Sequence, residues 1–117
     1  MLYNKTMNSS AILTKLKSIL KPYESGLHVK TDDDTTYYLE YKPDNATSKP
    51  EMFAAVMVKK NYVSMYYMPV YNHPELLSGI SQTLKKHMQG KSCFNFVDEN
   101  DQAIEELDKL IKQTAEI

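Results

Sequence analysis

Apolar positions along the chain change their period several times, and each change marks a new element. Ile12, Leu16, Ile19 and Leu20 recur at helical spacing. They predict a helix from about Ser9 to Lys21, capped by Asn8 or Ser9 and stopped by Pro22, with Lys15, Lys17 and Lys21 on its outer face. Alternation then replaces that period, which predicts strands over Leu27 to Thr31 and Thr36 to Lys42 around the turn Asp32-Asp33-Asp34. For Val29 to oppose Tyr37, the loop between the strands must hold three or five residues.

A polar stretch from Pro43 to Pro50 leads into the clearest signal, Met52 to Lys59 followed by Tyr62 to Pro69, with Lys60-Asn61 between them. A two-residue turn there pairs Val58 with Val63, Val56 with Met65 and Ala54 with Tyr67, all on one face. Strict alternation places Phe53, Ala55, Met57, Tyr66 and Met68 on the other face, which is therefore also largely apolar. Residues 43 to 50 are the candidate cover for it; uncovered, it is a candidate binding surface.

Leu77, Ile80, Leu84 and Met88 predict a helix that opens at His73-Pro74-Glu75 and closes at Gln89-Gly90, where glycine supplies a left-handed stop. A strand from Ser92 to Val97 follows, with Phe94 and Phe96 on one face and Cys93, Asn95 and Val97 on the other. The last helix, about Asn100 to Thr114, buries Ile104, Leu107 and Ile111 and carries Asp101, Glu105 and Glu106 near its N-terminus, where the helix dipole favours acids. The order α-β-β-β-β-α-β-α is that of an α+β fold, an antiparallel sheet of about five strands with helices on one face. With 117 residues, three glycines and no low-complexity linker, the chain reads as one domain with residues 1 to 8 as a tail.

Composition narrows the chemistry. A composition of 42% hydrophobic and 25% charged residues is that of a globular domain. No apolar run approaches the ~20 residues of a membrane span and no leader pattern opens the chain, so the expected compartment is the cytoplasm, without a membrane partner. All fourteen basic residues are lysine and the net charge is -1, which argues against nucleic acid as a partner. Glycine-rich phosphate loops, nucleophile elbows and spaced histidine ligands are all missing.

Three groups of residues remain as candidates for chemistry. Asp32, Asp33 and Asp34, with Asp98, Glu99 and Asp101, offer hard oxygen donors for iron or another divalent metal, although turn formation and helix capping explain the same residues without a ligand. Cys93 is a candidate reactive thiol if His87 or Lys91 lowers its pKa; a packed strand cysteine is the plainer alternative. Tyr38, Met57, Tyr66 and Met68, on the face opposite the expected core, are candidates for a contact surface toward a protein, a small molecule or a second copy in a homodimer.

The run FAAVMVKKNYVSMYYMPVY from Phe53, the proline-opened segment after it and MQGKSCFNF from Met88 together resemble the bacterial YdhG-like family, a domain of unknown function. The resemblance covers about residues 9 to 115. It implies a sandwich similar to frataxin, some of whose wider family are regarded as iron chaperones for iron-sulfur cluster or haem assembly. Frataxin-type binding uses an acidic first helix, whereas this one carries lysine and no acid between Ser9 and Lys21. The leading expectation is a small non-enzymatic binding or carrier module with no obligatory cofactor. An iron chaperone using the six acids is the alternative, and a thiol enzyme using Cys93 the third.

Overall fold

The computed structural model describes residues 7–43 and 49–115. Helix α1 (Ser9–Leu20) is capped by Asn8, whose side chain accepts from the Ala11 N–H at 3.1 Å, and it buries Ile12, Leu13, Leu16, Ile19 and Leu20. Pro22 does stop it, and the chain continues as a 3-10 turn over Lys21–Gly26. Lys17 is not on the outer face: it pairs with Asp32 and lies 5.0 Å from the centre of the Tyr37 ring.

Six antiparallel strands follow in the order β1-β2-β3-β4-β6-β5 across the sheet: β1 (Leu27–Asp32), β2 (Thr36–Tyr41), β3 (Met52–Val58), β4 (Val63–Tyr67), β5 (Met88–Gln89) and β6 (Cys93–Phe96). The extra strand beyond the expected five is the two-residue β5. The central hairpin has the register its apolar pairs dictate: Ala54 opposes Tyr67, Val56 opposes Met65 and Val58 opposes Val63. Among the described non-glycine residues none has positive φ, and the Lys59 N–H donates to the Tyr62 carbonyl at 2.8 Å to close the turn.

Two irregularities correct simple alternation. In the first hairpin the register shifts between Val29 and Thr31, so Val29 opposes Leu39, and Tyr37 opposes Asp32 instead of Val29. Between β2 and β3 the register shifts again: Leu39 opposes Ala54 but Glu40 opposes Met52, leaving Phe53 as the extra residue. A bulge lets two successive side chains leave on one side. Phe53 accordingly enters the helix-side core, where its ring meets Tyr23, Tyr41 and Tyr67.

The helix expected over residues 73 to 90 does not form. The chain makes α2 (Met68–Asn72), a 3-10 turn over Pro74–Leu77, α3 (Gln82–Lys85) and then β5. Met68 and Pro69, expected at the end of β4, instead begin α2. Pro74 lacks the amide that would continue α2, and Ser81 caps α3 by accepting from the Leu84 N–H at 3.1 Å. The apolar period is genuine, since Leu84 is buried and Leu77, Ile80 and Met88 pack against the core, but separate turns present it. Gly90, at φ +80, turns β5 into β6 and does not stop a helix.

Helix α4 (Ala103–Thr114) begins where Asp101 accepts from the Ala103 N–H at 2.9 Å, and it buries Ala103, Ile104, Leu107, Leu110 and Ile111. These residues join the α1 stripe and Tyr37, Leu39, Met65, Tyr67, Phe94 and Phe96 in one core on one side of the sheet. The architecture is α+β, with four helices among the described residues.

Candidate functional site

Sheet pairing aligns the residues of the opposite face in rows. Tyr38, Ala55, Tyr66, Cys93 and Gln89 lie side by side across β2, β3, β4, β6 and β5, and Thr36, Met57, Ser64 and Asn95 form the neighbouring row. Ala55 is fully buried yet stands outside the helix-side core cluster. Its small side chain lies in the row between two half-buried tyrosines. Of the expected surface residues, Tyr38, Met57 and Tyr66 share this face; Met68 sits at its end, in α2, with the Ser92 hydroxyl 3.9 Å from its sulfur. Residues 44–48, and with them most of the expected cover, lie outside the described residues.

Lysines flank the tyrosines. Lys30 Nζ lies 4.9 Å from the centre of the Tyr38 ring, and Lys59 Nζ lies 6.0 Å from that of Tyr66 and 4.0 Å from Met57 Sδ. Each ammonium faces the electron-rich ring while its stem covers apolar surface. The described strands carry two carboxylates, Asp32 and Glu40. Asp32 pairs with Lys17 of α1, and Glu40 is buried with its carboxylate 2.7 Å from His28 Nδ1. The charged groups that reach the two rings are therefore Lys30 and Lys59. Sequence reasoning missed Lys30, Lys59, Ser64 and Asn95; alternation already placed Ser64 and Asn95 with Tyr66 and Cys93, but the side Lys30 takes depends on the β1 bulge.

Cys93 is half-buried in the aromatic row. Its thiol donates to Asn95 Oδ1 at 3.3 Å, an oxygen that also accepts from the Ser64 hydroxyl at 2.7 Å. Burial pushes the thiol above its usual pKa, with the Ser64 and Tyr66 hydroxyls and the Lys59 charge pulling weakly the other way. A protonated thiol is a poor nucleophile. His87 is engaged elsewhere: Nδ1 lies 2.8 Å from the Asn95 carbonyl, Nε2 lies 3.0 Å from Asp101 Oδ2, and the ring stacks on Phe96. This contact ties the segment between α3 and β5 to β6 and to the start of α4.

The acidic residues are occupied locally. Asp33 accepts from the Thr35 and Thr36 N–H groups, both at 2.9 Å, and these bonds hold its carboxyl below the usual range. Asp32 pairs with Lys17, Asp101 serves His87 and the α4 cap, and Asp98 accepts from the Asn100 N–H. Asp34 is exposed and Glu99 half-buried. The two groups stand at one end of the sheet but three strand spacings apart, roughly 14 Å. Among the described residues, no three histidine, cysteine, aspartate or glutamate side chains are placed to hold a metal.

No described helix is long and apolar enough to cross a membrane. No family model, curated protein or solved structure matches the chain.

Proposed function

We propose that this chain is a non-enzymatic binding module of the YdhG-like type, and that the face of Tyr38, Ala55, Met57 and Tyr66 receives an acidic, extended segment of a partner protein. The observation that carries this reading is the aromatic row flanked by Lys30 and Lys59, on strands whose carboxylates are both paired. An extended peptide places alternate side chains on one side. Its apolar positions would lie on the Tyr38 and Tyr66 rings and on Met57 in the neighbouring row, and its carboxylates would meet the lysines. Such contacts give attraction that weakens with salt.

A short peptide alternating glutamate with leucine, titrated into the labelled protein and followed by amide shifts, tests the reading. Saturable, salt-sensitive shifts at Tyr38, Ala55, Tyr66 and Cys93, lost in a Lys30→Glu, Lys59→Glu variant, are expected. Shifts confined to the helix side, or none, overturn it. The same shifts produced by raising protein concentration without peptide reassign the face to self-association.

A further inference from the structure

A concave site lies near the β5 edge, away from the tyrosine row's centre. It is a cavity of about 470 Å³, within the ordinary range for small-molecule sites. Val70, Pro74, Leu77 and Met88 make its apolar lining, and Tyr71 and Lys91 complete it. Val70 is buried in the core, and Leu77 and Met88 are half-buried against it, so the lining is anchored. Gly90 also borders the cavity, and no atom lies within 4 Å of where a Cβ would be, so the turn leaves that side open.

Its electrostatics are one-sided. Among the described residues Lys91 is the sole charged one lining it, and its Nζ lies 6.0 Å from the centre of the Tyr71 ring. No carboxylate among the described residues pairs with Lys91. The nearest acid in sequence to the lining, Glu75, is engaged by His73 at 3.6 Å. Another cavity, beside Leu76, Ile80 and Leu110, is smaller, about 200 Å³, and balances Glu106 against Lys109. An anchored apolar wall with one uncompensated cation at its side is complementary to a molecule with an apolar body and one anionic end.

We propose that this cavity binds a small amphipathic monocarboxylate, its apolar portion against Pro74, Leu77 and Met88 and its carboxylate on the Lys91 ammonium. A lysine suits a single carboxylate: it is a compact point charge on a flexible stem and needs no paired acceptor geometry. The site is independent of the peptide-binding reading, since none of its lining residues belongs to the tyrosine row.

Titrating the labelled full chain with sodium octanoate, and separately with 1-octanol and sodium acetate, tests this. Octanoate is expected to give saturable amide shifts at Leu77, Met88, Gly90 and Lys91. Octanol, with the same tail and no charge, is expected to bind about tenfold more weakly, as is octanoate to the Lys91→Gln variant. Lys91 is exposed, so that variant keeps its fold, checked by unchanged shifts elsewhere. Acetate is expected to leave these amides unmoved. Equal affinity for octanol, unchanged octanoate affinity in Lys91→Gln, acetate binding as tightly as octanoate, or shifts that do not saturate at these residues each overturn the proposal.

Discussion

Phe53 meets Tyr67 edge to face, their ring centroids 5.6 Å apart and their planes at 81°, although alternation along β3 directs Phe53 to the opposite side of the sheet. The bulge between β2 and β3 makes this contact. It moves a large apolar ring from the proposed binding face into the core, where Tyr41 also contacts it edge to face at 5.6 Å. The binding face is left with the smaller Ala55 between its tyrosines.

Phe53→Ala is therefore expected to behave as a core truncation, costing about 3–5 kcal/mol in a denaturant melt. Met57→Ala, on the half-exposed face, is expected to cost about 1 kcal/mol or less. Equal, small losses for both would place Phe53 on the surface.

Tyr67 gives the protein an alkaline limit. Burial pushes its phenol up to about 12, whereas an unfolded tyrosine ionises near 10. Between these values the folded state keeps a proton the unfolded state has lost, so the contribution of Tyr67 is whole below pH 10 and falls as pH rises through 12. Burial raises Tyr37 in the same direction, reinforced by its hydroxyl donating to Glu24. Stability measured by urea melts is expected to drop by about 2 kcal/mol or more from pH 10 to pH 12, and by less in Tyr67→Phe. An absorbance titration that finds every tyrosine ionising together near pH 10 in folded protein would contradict this.

Gly90→Ala isolates a backbone effect. At φ +80 an alanine is strained, while the open space around its Cβ removes any clash. The expected loss is about 1–2 kcal/mol in a thermal or denaturant melt. A variant as stable as the parent would show that this turn does not need a left-handed residue.

Cys93 is expected to react slowly. Its raised pKa and half-burial predict iodoacetamide alkylation at pH 8 at least about tenfold slower in folded protein than in urea. Folded-state alkylation as fast as in urea would revive Cys93 as a reactive thiol.

The central hairpin was legible because its paired apolar positions admit one register that buries them all: a slip of one residue would turn Val56, Val58, Val63 and Met65 out together. Helices α1 and α4 were legible for a related reason, each carrying one continuous apolar stripe between clear end signals. The segment from His73 to Gly90 carries a helical stripe too, but a period records only which residues face the core. It cannot record that Pro74 and the Ser81 cap divide the path, or that Met88 and Gln89 pair with β6. The candidate metal ligands failed to gather for the opposite reason: closeness in sequence within each group says nothing of the two strands, β3 and β4, standing between the groups.

By itself, then, the amino-acid sequence determined the class of fold, the central register and an apolar second face bearing Tyr38, Met57 and Tyr66, because these follow from local period and side-chain type. Tertiary structure alone decided that Phe53 leaves that face, that Lys30 and Lys59 flank its tyrosines, and that Lys91 borders an apolar cavity. Those outcomes depend on bulges and on contacts between segments distant along the chain, where the free energy of burying one ring or pairing one charge is settled by neighbours that no local pattern names.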